Sequence, residues 1–453
     1  MSAGSTAVHW FRRDLRLRDN PALAAAAAHG DVLGLFVIDP GVWDKAGAAR
    51  RAWLAACLRS LDESMGGRLC LRLGKPVTAV PEVVAEVGAD TLHVTNDSTP
   101  YALKRDRAVV AALPGSVTGA ATGTPYAVPP GTVRNGSGRP YQVFTPFERA
   151  WRAHGWDAPT PAPSAVRWVE RDSDPRAVAL LDEALAGAPA GLPVPGEDAA
   201  IQRFRAFLTG DVDDYDEARN DPGADRTSRM SPYLKYGVVH PRQLLAESGG
   251  RRTDGATTYE KEIAWREFYA DVLFHNPASA WQDLRPVPGL TYDQPEDAIE
   301  AWRTGTTGFP IVDAGMRQLL AEGWMHNRVR MITASFLTKD LHVWWPVGAR
   351  HFLDHLVDGD LASNNHGWQW VAGTGTDAAP YFRVFNPITQ GLKFDPSGDY
   401  VRRWVPELAH LPGKAAHEPW DQEDGHDHGY PKRIVDHAEE RRRALELYQR
   451  GRE

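Results

Sequence analysis

The stretch AVHWFRRDLRLRDNPALAAAAAHGDVLGLFVID, residues 7–39, decides the fold of the first half of the chain. AVHWF reads as a short buried strand. RRDLRLRDNPAL turns into an alanine-rich helix, and DVLGLFVID, from Asp31, is a second apolar strand. Strand, helix and strand in that order make a right-handed βαβ unit. The alternation continues outward. AARRAWLAACLRSLDESM, from Ala48, has helical periodicity; LCLRLG is a strand; VTAVPEVVAEVG is a helix; TLHVTND, from Thr91, is a strand; PYALKRDRAVVAAL is a further helix. This pattern predicts an α/β domain over residues 1–128 with a doubly wound parallel sheet.

Composition changes beyond it. Residues 129–196 are rich in Pro, Gly and Ala (PPGTVRNGSGRP, PTPAPS, AGAPAGLPVPG) and read as a surface connector with a few short helices. From residue 197 to 453 strand patterns give way to long amphipathic segments such as TYEKEIAWREFYADVLF and VRMITASFLTKDLHVWW, which predict an all-helical domain. The full chain of 453 residues has 42% hydrophobic and 24% charged residues, which excludes wholesale disorder. Its net charge of −8 excludes a uniformly basic coat but not a local basic face. Cys57 and Cys70 are too few for a disulfide scaffold or a cysteine-rich metal site. With no apolar signal core at the N-terminus and no apolar run near the ~18–20 residues of a membrane helix, a soluble cytoplasmic protein is expected.

Several motifs carry nothing. Gly373-Thr-Gly375-Thr-Asp-Ala378 matches a loose dinucleotide pattern but follows no strand, and the first strand of the α/β domain has no glycine fingerprint after it. His351 and His355 lack the glutamate of a zinc-protease motif. His426-Asp427-His428 reads as a solvated turn, and Asn135-Gly-Ser matters only in a secreted protein.

Three stretches of the helical half carry chemistry. Tyr259, Glu262, Trp265, Arg266 and Tyr269 share one helix face. Taken alone, their spacing favours an intrahelical Glu262–Arg266 ion pair beside core aromatics. Asn327, Arg330 and Met331 share a second face, whose plain reading is a helix start with surface charge. DGDLASNNHGWQW, residues 358–370, packs two acids, two asparagines and two tryptophans into a segment that core packing alone does not explain.

These stretches, with HWFRRDLRLRDNPAL, TSRMSPYLKYG, GFPIVDAGMRQL and TDAAPYFRVFNP, resemble the photolyase/cryptochrome flavoproteins over nearly the whole chain, most closely class I cyclobutane pyrimidine dimer photolyases. The resemblance implies an N-terminal antenna domain and a helical domain holding FAD, active as FADH⁻. It implies that Tyr215, Thr227, Ser228, Arg229, Met230, Ser231 and Arg266 contact the phosphates and ribityl chain, a chemistry that hydroxyls and helix-start amides suit. Arg330 pairs with Asp358 beside the flavin ring, Asp360 accepts hydrogen bonds from the flavin or its ribityl arm, and Asn364 faces the flavin 5-nitrogen, where plant cryptochromes carry Asp. Trp265 and Trp370 wall the pocket of a flipped-out dimer; Glu262 and Asn327 bond to it, and Met331 lines the pocket. (6-4) photolyases carry histidine at the position of Asn327. Arg219, Arg328, Arg383 and Gln390 contact DNA.

The same resemblance assigns Trp368 and Trp345 to an electron-transfer chain. Its third position falls on Tyr292 instead of the usual Trp, which leaves Tyr292 or another tryptophan such as Trp302 as the outer donor. For the antenna, folate-binding relatives place Asn-Glu where this chain has Tyr101-Ala102, which disfavours folate. Asn96-Asp97-Ser-Thr-Pro-Tyr101 resembles the deazaflavin-binding relatives, with Asp97, Arg12, Phe36 and Asp39 around an 8-hydroxy-5-deazaflavin. The expected activity is light-driven repair of cyclobutane pyrimidine dimers in DNA by a monomer without a metal. A cryptochrome-like photoreceptor, a (6-4) photolyase and a non-enzymatic DNA-binding scaffold are the alternatives.

Overall fold

The computed structural model describes residues 5–377 and 383–450. Strands β1 (Thr6–Phe11), β2 (Asp31–Ile38), β3 (Leu69–Leu73), β4 (Thr91–Val94) and β5 (Thr118–Ala121) form one sheet in the order β3-β2-β1-β4-β5. Every pairing is parallel, with Val8 of β1 opposite Leu33 on one side and Leu92 on the other. Central β1 is buried on both faces, which is why it is apolar from Ala7 to Phe11 except for His9, whose Nε2 lies 3.4 Å from Asp14 Oδ2. Helices α1 (Pro21–His29), α2 (Ala48–Ser64), α3 (Pro76–Glu86) and α4 (Pro100–Ala112) are the crossovers. Asn20 starts α1, its Oδ1 accepting from Leu23 N at 3.1 Å with Pro21 in the first turn. The strand order reverses between β1 and β4, so a crevice is expected at the C-terminal ends of these strands. Strand β5 is absent from the sequence reading because TGAA has no β-branched or aromatic run; backbone pairing to β4 makes it a strand.

The connector does more than wrap the surface. Trp168 bridges Val32 in parallel, and Asp174 N donates to Leu71 O, so it runs back along the sheet. It also contains α5 (Phe144–His154), whose Trp151 is fully buried. Glu267 ties this segment down: its Oε2 accepts from Trp151 Nε1 at 2.6 Å and Val128 N at 3.1 Å, and its Oε1 from Ala127 N.

Beyond it, the described residues hold helices and no strand. Those that build the site are α6 (Ser231–Tyr236), α7 (Asp254–His275), α8 (Asn327–Ser335), α9 (Trp345–His355), α10 (Leu361–Ala372) and α11 (Pro387–Phe394). One apolar core runs from the sheet into this half, through Phe11, Phe36, Trp53, Tyr233 and Phe268. Trp53 on α2 is its hinge. It packs edge-on against Tyr233 of α6 at 5.3 Å and donates to Pro232 O at 3.2 Å. Losing so large a buried ring costs about 3–5 kcal/mol. A second core surrounds Trp302, Trp345 and Trp368.

Candidate active site

A cavity of about 480 Å³ opens in the helical half, lined by residues of α6, α7, α8 and α10 and of the loops before them. It gathers Tyr215, Thr227, Ser228, Arg229, Met230, Ser231, Glu262, Trp265, Arg266, Asn327, Arg330, Met331, Asp358, Asp360, Asn364, Trp368 and Trp370. These positions are spread over more than 150 residues of sequence, so the fold alone brings them together.

The deep wall centres on two aspartates. Asp358 Oδ2 accepts from Ser231 Oγ at 2.6 Å and from Arg330 Nη2 at 2.9 Å. Its Oδ1 is buried with no partner among the described residues. An unmet buried acceptor costs about 1–3 kcal/mol, so this oxygen calls for a donor from within the cavity. Asp360 caps α10, its Oδ1 accepting from Ser363 N at 3.1 Å, while Oδ2 accepts from Arg13 Nη2 at 2.8 Å. Burial opposes its charge, but Arg13 and Lys235 prevail and hold its carboxyl well below the usual range. Lys235 is itself pulled down to about 8 by burial. Arg13, from the C-terminal end of β1, is a contact the sequence reading did not name; its partner Asp360 lies 347 residues away in sequence.

Asn364 has both amide hydrogens spoken for. Its Nδ2 donates to Ala349 O at 3.0 Å and to Asn365 Oδ1 at 2.8 Å, and Asn365 is anchored in turn on Ala280 O. The Asn364 carbonyl is left as the group presented to the cavity. On the opposite side the loop 227–231 turns through Arg229 at φ +49°. The Arg229 guanidinium lies 4.1 Å over the Trp324 ring and bonds Asp225 at 2.7 Å. Tyr215 packs edge-on against Phe207 and Tyr259.

At the mouth, Trp265 stacks on Phe144 at 3.7 Å with planes 7° apart. Glu262 does not pair along its helix with Arg266, as the spacing suggests. Arg219 Nη1 reaches it from 43 residues away and donates to Oε1 at 2.5 Å. Arg266 instead donates to Pro125 O at 3.0 Å and Leu234 O at 3.2 Å, because its side chain is drawn under Tyr126. Burial pushes the Glu262 carboxyl up, with Arg219 opposing. Asn327 opens α8 behind the cap His326, whose Nδ1 accepts from Arg328 N at 3.2 Å. Burial, with Arg328 and Arg330 close by, lowers His326 to about 3, which keeps the cap neutral and able to accept.

Arg328 donates to Asn220 Oδ1 at 2.6 Å and lies over Phe394, and Arg383 lies 5.8 Å from the Trp370 ring and is exposed. Gln390 is on α11, outside the cavity lining. The middle of TDAAPYFRVFNP, including Ala378, falls outside the described residues. Trp345 is fully buried on α9. Gly348, one turn on, leaves room for Trp368: a Cβ there would lie 2.2 Å from its indole. Trp302 meets Trp368 edge-on at 6.0 Å, and Tyr292 stands apart from the cavity beside Trp344 at 6.2 Å.

The residues read as an antenna site gather at the C-terminal ends of β1, β2 and β4, but largely satisfy one another. Arg12 donates to Asp106 at 2.6 Å and to Thr95 O; Asp97 lies 3.7 Å from Arg13; Asp39 accepts from Tyr101 Oη; Phe36 is core.

Comparison with known proteins agrees with this architecture. Residues 7–164 match the model of a family described as DNA photolyase, and residues 259–450 match one described as the FAD binding domain of DNA photolyase. The deoxyribodipyrimidine photo-lyase of Streptomyces griseus is 43% identical over 97% of this chain and 98% of its own length. The crystal structure of a class III photolyase from Agrobacterium tumefaciens superposes with a TM-score of 0.92 at 37% identity, covering 100% of this chain and 98% of that one. A Synechocystis cryptochrome gives a TM-score of 0.88 at 26% identity, covering 99% of this chain and 100% of that one.

Proposed function

Because this chain belongs to the DNA photolyase family, we propose that it repairs cyclobutane pyrimidine dimers in DNA under light. The observation that carries the reading is one cavity with two chemistries: unmet polar groups in its depth, and aromatic walls beside a carboxylate and an amide at its mouth.

The deep groups fit FAD. A buried carboxylate oxygen and a fixed amide carbonyl suit a ring and sugar arm rich in N–H and O–H donors, and the loop 227–231 with Arg229 suits an anionic diphosphate. Reduced FAD held there supplies one electron when light excites it. The chain supplies position and electrostatics. Arg330 and Ser231 orient Asp358. Arg13 fixes Asp360, and Asn365 fixes Asn364. Photolyases are among the enzymes that take the target out of the duplex. Trp265 and Trp370 pack the flipped dimer, Met331 fills the pocket, and Asn327 bonds it. Glu262 bonds the dimer carbonyl and ring N–H, stabilising charge that develops there. Arg219, Arg328, Arg383 and Gln390 form the phosphate-facing rim.

The antenna site belongs at the sheet crevice, with 8-hydroxy-5-deazaflavin as its chromophore near Arg12, Phe36, Asp39 and Asp97. Support comes from the topology, and from Tyr101, which bonds Asp39 where folate-binding relatives carry Asn. Titration of the apoprotein with the deazaflavin should give saturable binding; no binding defeats this assignment.

The main test is repair of an oligonucleotide bearing one cyclobutane thymine dimer, with flavin-reduced protein, in blue light and in darkness. Light-dependent repair is expected. No repair by protein that still holds reduced FAD overturns the reading in favour of a photoreceptor or a different lesion, the (6-4) product being the next substrate to try.

A further inference from the structure

Trp344 is a surface tryptophan that neither spacing nor resemblance singles out. It is 37% exposed, beside the fully buried Trp345. The two rings lie 6.4 Å apart, and the ring of Tyr292 lies 6.2 Å beyond Trp344. The two indoles converge on one carboxylate. Asp283 Oδ1 accepts from Trp345 Nε1 at 2.6 Å and from Trp344 Nε1 at 3.2 Å. Burial, then the same Asp283, keeps the Tyr292 hydroxyl firmly protonated.

We propose that Trp344 relays electrons between Tyr292 and Trp345, and that Asp283 accepts the proton Tyr292 releases. This rests on the reading that Trp368 and Trp345 feed electrons to the cavity. Light-excited, oxidised FAD is the one-electron oxidant. Trp368 gives up one electron and is refilled by Trp345, Trp345 by Trp344, and Trp344 by Tyr292. Tyr292 ends one electron short, its O–H bond broken and the proton on Asp283. A thiol in solution returns one hydrogen atom to the tyrosyl radical.

The geometry favours this exit over Trp302. Among the described aromatic contacts, Tyr292 meets Trp344 and reaches Trp345 only through it. The hole passes from the dry interior at Trp345 to Trp344 at the surface, where charge is better solvated. A carboxylate on both indole N–H groups stabilises positive charge along the way and stands ready as base. Trp302 is fully buried, and its N–H donates at 3.0 Å to a neutral carbonyl, that of Thr333, which cannot take up a proton at neutral pH.

Transient absorption and electron paramagnetic resonance on the full-length, FAD-loaded protein test the relay. The wild type should end in a tyrosyl radical. Trp344→Phe should lose that signal and stop at a tryptophan radical, with flavin content and dimer repair by chemically reduced protein unchanged. Tyr292→Phe should stop at a tryptophan radical that survives longer than in Trp344→Phe. Asp283→Asn keeps an acceptor for the indoles but no base, and should lose the tyrosyl radical. A wild-type tyrosyl signal retained in Trp344→Phe overturns the relay, and one retained in Asp283→Asn overturns the base. Photoreduction retained in Trp368→Phe sinks the underlying chain instead, so the two failures are distinguishable.

Discussion

The cavity of the helical half and the crevice at the sheet edge are built from the same kinds of residue, yet they finish their hydrogen bonds differently. In the cavity, Asp358 Oδ1 has no partner among the described residues and the Asn364 carbonyl faces open space. At the crevice, Arg12 has Asp106, Asp97 has Arg13, and Asp39 has Tyr101. A site that leaves polar atoms unmet carries a stability cost that a ligand removes on binding; a site that closes on itself must break bonds to admit one. The cavity therefore suits a resident cofactor, while the antenna chromophore proposed for the crevice would have to displace contacts already made. One residue belongs to both. Arg13 bonds Asp360 of the cavity and faces Asp97 of the crevice.

The sharpest way to break this contrast is Asp360→Ala. It removes the cap of α10 and the closer of the two carboxylates at Arg13, whose side chain is only 13% exposed and which keeps Asp97 at 3.7 Å. Breaking a buried pair outright costs about 3–5 kcal/mol, and Asp97 offsets part of that. Purified protein should carry little flavin and unfold at lower urea. Full flavin content would show that Asp360 serves the fold alone. Asp360→Asn should recover part of the flavin, because the amide oxygen still caps the helix.

Much of this was legible before the structure, for a physical reason. Apolar runs and helix faces are local signals, so β1 to β4 and the amphipathic helices could be read from neighbours in sequence. Strand β5 could not, because its pairing with β4 defines it and TGAA carries no propensity of its own. Local spacing also misled. It put Glu262 with Arg266, while the partner that wins is Arg219 on another segment, free to approach because Arg266 is held by two carbonyls and Tyr126. Trp344 escaped notice because exposure is invisible in a sequence, and Arg13 because its partner Asp360 is 347 residues away.

Smaller effects are expected at the mouth. Glu262→Ala should leave flavin content unchanged and weaken binding of dimer over undamaged DNA by about 1.5–3 kcal/mol, the worth of a hydrogen bond to a charged group. Competition binding at fixed salt checks it; equal weakening on both DNAs would make Glu262 a mere partner for Arg219. Arg219→Ala should do the converse. It should weaken binding to damaged and undamaged DNA alike and reduce the slope of log affinity against log salt by about one. An unchanged slope would mean that Arg219 stays on Glu262 when DNA binds.

The smallest expected effect lies in the crevice, at Asp97→Asn. Asp97 is nearly fully buried and faces Arg13 at 3.7 Å, but Arg13 has the closer bond to Asp360. The amide keeps the oxygen that accepts from Thr99 N at 3.1 Å, so the turn into α4 should survive. Flavin content and repair driven by direct flavin excitation should stay at wild-type levels, while affinity for added deazaflavin falls. If flavin content falls as well, the two regions are one electrostatic unit joined through Arg13, and the contrast between a resident site and an exchangeable one fails. If neither changes, Asp97 is a strand-end carboxylate whose charge Arg13 alone requires, and the antenna must be sought nearer Asp39.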